Sequence, residues 1–345
     1  MQKINFQNLL SKRQFIIVIS FFFILLLILY YIFFTPNNYV GNSPQRFEIK
    51  RGESLNSIVE NLYAKGIIPS KTNMKIIAFI YGAERKIRAA RYDIPNGLNY
   101  LELVELFLNG KADFLRKVKI YNGSTVKSVA ATLKLDALID SSAFVETVKT
   151  KSFIDSLGIL AHTVEGYLLP GEYFMYERSN PREVINILNT AFNKFIRDSL
   201  KYDAKKNKYS LHQIVTLASI VEGETNKTSE MPAIAGVYYN RLRTGMKLQA
   251  DPTVQYIQPK GWKKLNHEDL KLDSPYNTYK YYGLPPGPIN NPGKDALRAA
   301  FKPEQNKYLF FVADGSGGHK FAQNYSQHLK YVREYRKWLE LQKES

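Results

Sequence analysis

The sequence predicts an α+β chain in three parts: an N-terminal transmembrane helix, a region of small β-α repeats, and a larger mixed α/β domain. Three observations carry that prediction. An unbroken apolar run fills residues 15–34, a strand–Gly–helix pattern recurs within residues 47–133, and a capped helix with Tyr-, Asn- and Gln-bearing loops follows residue 150. The chain has 345 residues, a length suited to about two folded domains. Hydrophobic residues at 45% and charged residues at 23% exclude wholesale disorder. With no cysteine, disulfide scaffolds, thiolate metal sites and cysteine nucleophiles are excluded. The net charge of +17 points to anionic partners (nucleic acid, lipid headgroups or an acidic polymer) or simply to a solvated basic surface.

The apolar run reads F-I-I-V-I-S-F-F-F-I-L-L-L-I-L-Y-Y-I-F-F from Phe15 to Phe34, without charge, Pro or Gly. At a rise of about 1.5 Å per residue it spans the roughly 30 Å hydrocarbon core of a bilayer. Lys3, Lys12 and Arg13 precede it with no acidic residue, and residues 35–45 behind it are uncharged. The positive-inside rule then makes residues 1–14 a cytoplasmic tail, 15–34 a single-pass inner-membrane anchor, and the remainder extracytoplasmic or periplasmic. A cleaved signal peptide would have a shorter core ending in small residues. This run ends in Tyr30, Tyr31, Phe33 and Phe34, which suit an aromatic belt. Nucleic acid is thereby dropped as a partner.

The repeat is weak but ordered. Ile49, Gly52, Leu55, Ser57, Ile58 and Leu62 fall on Ile120, Gly123, Val126, Ser128, Val129 and Leu133 at one offset. A looser copy passes through Ile94, Gly97, Tyr100, Leu103 and Phe107. Each copy reads as a short strand, a turn whose glycine supplies positive φ, and an amphipathic helix that Ser54 or Ser124 is placed to cap. The repeat region is assigned to residues 46–149. Its units resemble LysM-type modules, which bind N-acetylglucosamine-containing polymers; a ligand-free stalk would show the same pattern.

Residues 150–345 carry the chemistry. Ser210 and Gln213 form a capping box, with Tyr209 and Ile214 as its hydrophobic staple, so a helix starts there. Leu217, Ile220 and Val221 make an apolar stripe that Glu224 continues, whereas Glu222 points about 200° away, beside Ala218 and Ser219. A carboxyl ending an apolar stripe is partly desolvated, which raises its pKa toward that of a general acid. A Glu near a helix end is otherwise an ordinary surface residue. Gly223 between the two weakens the helix and admits a close neighbour.

L-A-S-I-V-E-G-E-T at 217–225 resembles the signature helix of the YceG-like endolytic murein transglycosylases. The resemblance continues through E-G-Y-L-L-P-G-E-Y at 165–173, N-R-L-R-T-G-M-K-L-Q-A-D-P-T-V-Q-Y at 240–256, S-P-Y-N-T-Y at 274–279 and G-L-P-P-G-P-I at 283–289. N-P-G from Asn291 and Y-L-F-F-V-A-D-G-S-G-G-H-K-F at 308–321 complete it. Gly223 stands where a Lys is common, and Gly171-Glu172 replaces the usual Asp-Thr.

The resemblance implies that Glu224 is the catalytic acid/base. The reaction cuts the β-1,4 bond between N-acetylmuramic acid and N-acetylglucosamine in nascent glycan strands. It leaves 1,6-anhydro ends and terminates glycan elongation. Because the substrate's own 6-hydroxyl attacks, one carboxyl suffices; a hydrolase normally needs two. Asp251 is the candidate second carboxyl, or a turn-forming residue before Pro252. Glu222, Gln249, Asp251, Thr253, Tyr256, Tyr276, Asn277, Tyr279 and His319 are the candidate substrate-binding residues, each with a structural role as its alternative. The five histidines lack metal-ligand spacing, so no metal or cofactor is expected. D-G-S-G-G-H at 314–319 lacks the ending of a phosphate-binding loop and reads as a turn lining the cleft. Residues 325–343 read as a basic amphipathic docking helix. Expected partners are glycan strands, the membrane, and peptidoglycan synthases of the division or elongation machinery. Two other functions remain open: a non-catalytic wall-binding scaffold, and a hydrolytic muramidase pairing Glu224 with Asp251.

Overall fold

The computed structural model describes residues 11–258 and 263–344, so Lys3 and most of the expected cytoplasmic tail lie outside the described residues. The chain divides into two compact units, Met1–Leu115 and Arg116–Ser345.

The first unit opens with α1 (Lys12–Phe34), the one helix among the described residues long and apolar enough to cross a membrane. It starts three residues before the apolar run because Ser11 and Gln14 close a capping box around its first turn. None of its residues is buried, although Ile32 and Phe33 pack partly on the unit's core. Then come β1 (Gln45–Glu48), α2 (Leu55–Ala64), α3 (Lys71–Ile80), β2 (Arg91–Ile94) and α4 (Tyr100–Asn109). β1 and β2 pair antiparallel with Phe47 opposite Tyr92. Tyr92 and Phe107 meet edge to face at 5.0 Å, and the Tyr92 hydroxyl donates to the carbonyls of Arg88 and Phe107. A buried phenol is thereby satisfied.

The second unit contains β3 (Leu115–Ile120, its first residue at the boundary), α5 (Val126–Ala137), α6 (Ser141–Thr147), α7 (Lys151–Ser156), β4 (Gly171–Tyr176) and α8 (Pro181–Lys194). It continues with α9 (Leu211–Glu224), α10 (Met231–Arg243), α11 (Asp251–Tyr256), α12 (Lys294–Phe301), the antiparallel hairpin β5 (Phe310–Ala313) and β6 (His319–Ala322), and α13 (Tyr325–Glu344). β3 pairs with β4. A single core joins Val118 and Val129 of the first elements to Leu217 of α9 and Leu297 of α12.

The expected repeats therefore do not form one domain. The copies at 47–62 and 94–107 share the first unit, whereas the copy at 118–133 belongs to the second. The division falls after Leu115 instead of residue 149, because Val118, Ile120, Val129 and Leu133 face the larger core. The turn glycines behave as read: Gly52, Gly97 and Gly123 all have positive φ. Ser54 caps α2, but α5 is capped by Thr125 instead of Ser124. Ser124 is occupied by a backbone bridge to Asn291.

Candidate active site

Helix α9 is the axis of the site. Ser210 and Gln213 close its capping box. Every residue from Ile214 to Val221 is buried, so the expected stripe is part of a helix packed all round. On the face of Ala218 and Ser219, the Ser219 hydroxyl donates to the Thr216 carbonyl and accepts the Ile289 N–H at 3.0 Å. Gly223 admits α11: a Cβ there would lie 2.6 Å from the Cβ of Pro252. That contact seats Asp251, the first residue of α11, near the end of α9.

Glu224, the last residue of α9, is half-buried, and its Oε1 accepts a hydrogen bond from the hydroxyl of buried Tyr238 in α10. Its Oε2 has no hydrogen-bond partner among the described residues. Burial pushes the Glu224 carboxyl up to about 7; the Asp251 charge acts in the same direction, while Tyr238 and Arg241 oppose it. Arg241, buried one turn beyond Tyr238, donates to the carbonyls of Leu309 and Leu248, and its guanidinium lies 5.9 Å from the Tyr238 ring centroid. Across the site, Tyr279 donates its hydroxyl to Asp251 Oδ1 at 2.5 Å. Glu224, Tyr238, Arg241, Asp251 and Tyr279 thus form one electrostatic group.

Glu222 faces elsewhere. Its Oε2 accepts the Gly293 N–H at 2.8 Å, and burial raises its pKa. Tyr256 and Tyr276, with ring centroids 5.1 Å apart, line a cavity of about 950 Å³ that does not include Glu224. Its other lining residues are Asn122, Gly123, Ser124, Thr125, Lys127, Ser128, Glu165, Gln255, Ile257 and Gln258. α11 connects the two places: it rises about 7.5 Å from Asp251, near Glu224, to Tyr256 at the cavity.

Several expected contacts are used inside the protein instead. Thr253 is fully buried, donating to the Ala250 carbonyl and sharing a hydrogen bond with Thr278. Asn277 is fully buried, donating to the carbonyls of Leu270 and Leu272 and accepting the Tyr279 N–H. Both shape the loop that presents Tyr279, and neither offers a free group to a ligand. His319 Nδ1 lies 2.7 Å from Glu230, and its ring meets Phe311, which in turn meets Tyr238. Gln249 is exposed with φ +49, a left-handed conformation that non-glycine residues avoid, and its N–H is held by the Thr278 carbonyl. Asp314 closes the 314–319 turn by accepting the N–H groups of Ser316 and Gly318.

The structure adds residues that sequence reasoning did not single out. Tyr238 and Arg241 belong to α10, where nothing marks them apart from other core-facing positions. Glu165 and Asn291 stand inside quoted motifs and form a buried hub. Glu165 Oε1 accepts from Val126 N–H and Asn291 Nδ2, both at 2.9 Å, and Asn291 Oδ1 accepts from Gly166 and Leu168 N–H. Burial pushes the Glu165 carboxyl up to about 8. The signal in the sequence was a lone acid ahead of G-Y-L-L-P, an apolar setting that leaves a carboxyl little water.

The fold and site define a mixed α/β chain behind an N-terminal apolar helix, with a raised-pKa carboxyl at a half-buried helix end and a second carboxyl acting on it electrostatically. The chain belongs to the YceG-like family, which it matches over residues 47–334. It is 30% identical over 303 residues to the endolytic murein transglycosylase of Bacillus subtilis (strain 168), with 83% of each chain covered. It is 28% identical over 319 residues to the endolytic murein transglycosylase of Streptococcus pneumoniae (strain ATCC BAA-255 / R6), covering 83% of this chain and 57% of that relative. A crystal structure of a YceG-like protein from Listeria monocytogenes matches at a TM-score of 0.58 and 29% identity, covering 83% of this chain and 98% of that one.

Proposed function

We propose that the chain is an endolytic murein transglycosylase that cuts the N-acetylmuramic acid–β-1,4–N-acetylglucosamine bond with Glu224 as acid and then base. The observation that carries this reading is the division of labour on the Glu224 carboxyl: Oε1 is held by Tyr238, and Oε2 has no partner among the described residues. With Tyr238 donating to Oε1, the carboxyl proton resides on Oε2. Burial keeps that proton present near neutral pH. Oε2–H protonates the glycosidic oxygen and the bond from C1 to that oxygen breaks. The muramoyl 6-hydroxyl attacks C1 of the same sugar and gives its proton to Oε2, which regenerates the acid. No water is consumed, and a 1,6-anhydro end results. Asp251, held by Tyr279, supplies negative charge beside the positive charge that develops on the sugar.

The placement of Asp251 also supports a second reading, a hydrolytic muramidase in which it activates water. Mass spectrometry of glycan digested by the full chain in detergent separates the two. Anhydro ends support the transglycosylase, reducing ends the muramidase, and no products a non-catalytic scaffold.

The first unit, in which β1, α2, α3 and β2 follow one another along the chain, is proposed as LysM-like and glycan-binding. Retention of the full chain on purified cell wall, reduced by substitutions in that unit alone, tests this. α1 is proposed as a single-pass anchor with a cytoplasmic N-terminus, which places the second unit where peptidoglycan synthases act. A reporter fused after Ser345 that is active only in the cytosol would refute that orientation.

A further inference from the structure

Lys127 lines both the Tyr256 cavity and a second depression of about 910 Å³ between α5 and α6. That groove has an apolar lining of Ala130, Ala131, Leu135 and Val145, with Leu135 79% exposed. Lys127, Lys134 and Lys149 line it, and none of the three has an ion-pair partner among the described residues. Glu146 is the one carboxylate in the same lining. Three unpaired cations around an exposed leucine fit a ligand with both carboxylates and aliphatic side chains. A peptide-free strand supplies the lactyl carboxylates of its muramoyl sugars but no aliphatic side chains.

We propose that the Tyr256 cavity and the α5–α6 groove together seat an acidic peptide carried by the glycan, with Lys127 at their junction binding a peptide carboxylate. The assignment rests on the glycan-cleaving reading, because the peptide arrives on the muramoyl sugar. Placement supports it: Tyr256 of the cavity lies about 7.5 Å along α11 from Asp251, within reach of a substituent on a sugar near Glu224. The cavity's own acid does not repel such a ligand. Glu165 is buried with its oxygens turned to Val126 N–H and Asn291, and desolvation favours its neutral form.

The test uses the full chain in detergent and two substrates: peptide-bearing glycan strands, and the same strands with peptide carboxylates converted to methylamides. Kd, KM and kcat are measured for wild type, Lys127→Gln, Lys127→Arg and the triple Lys127→Gln/Lys134→Gln/Lys149→Gln variant. These lysines are exposed, so each contact contributes a factor of about two to five. Wild type should bind the native strands about tenfold or more tighter. Lys127→Gln should lose a threefold part of that preference, the triple variant nearly all of it, and Lys127→Arg little, with kcat unchanged throughout. The proposal is overturned if wild type shows no preference, if the triple variant keeps it, or if affinity falls equally for both substrates. Polyglycerol phosphate binding more tightly than the strands with the same lysine dependence would also overturn it, in favour of a phosphate polymer. Should no substrate be cleaved, the transglycosylase reading fails, while the Kd ratios still decide the peptide site.

Discussion

The hydroxyl of Tyr238 should set the pH at which the enzyme loses activity, and Tyr238→Phe isolates it. Glu224 stands at about 7 because burial raises its pKa while the Tyr238 hydrogen bond, which favours the ionised form, holds it down. A hydrogen bond to a charged group contributes about 1.5–3 kcal/mol, and one pKa unit corresponds to 1.36 kcal/mol, so the lost bond should raise Glu224 by roughly one to two units. Phenylalanine refills the buried ring site, so the fold should persist. The proposed acid must be protonated, so wild-type kcat/KM for anhydro-product formation should fall through about pH 7 on the alkaline side. In Tyr238→Phe that limb should move to about pH 8–9, with a lower plateau because Oε1 is no longer held. Asp251→Asn should move it the other way, since the Asp251 charge raises Glu224. A limb that stays put in Tyr238→Phe, or moves to lower pH, would refute Glu224 as the acid or Tyr238 as its governor.

Other substitutions probe the same frame. Glu224→Gln should cut turnover by about 10²–10⁴ with folding retained, and Glu222→Gln should be milder because Glu222 holds the Gly293 N–H; the reverse order would move the catalytic residue by two positions. Gly223→Ala should cost about 1–3 kcal/mol and displace Asp251, as its Cβ would meet Pro252 at 2.6 Å; an unchanged melting temperature and rate would mean α11 yields freely. Glu165 has a folded pKa of about 8, above its unfolded value, so its contribution is fully present below about pH 4.5 and lost as pH rises through about 8. Glu165→Gln, which cannot ionise, should therefore flatten the decline of melting temperature between pH 5 and 8, and an unaltered slope would show that Glu165 is not buried as described.

What the sequence revealed and what it hid follow from the range of the interactions. Local features were legible: the Ser210–Gln213 box closes within one turn, and the turn glycines at 52, 97 and 123 answer to local φ. Glu224 was selected on an apolar stripe, although α9 is buried on all sides and has no such stripe. The selection agreed with the family's E-T pattern, but the physical basis is different: Glu224 has its raised pKa because its surroundings exclude water and Asp251 of α11 adds a like charge, against which Tyr238 of α10 holds it down. Those partners depend on packing between helices, and single-chain periodicity does not encode it. Thr253 and Asn277 show the converse error. Polar residues in a Tyr- and Asn-rich loop look like sugar contacts, yet complete burial requires their side chains to satisfy backbone groups first. The copy at 118–133 obeys the same logic, because a strand–Gly–helix unit has no core of its own and joins whichever core its apolar face meets. Gly223 links the two scales: its missing side chain was visible in the sequence, but that Pro252 fills the space, and so brings Asp251 toward Glu224, is written only in the packing.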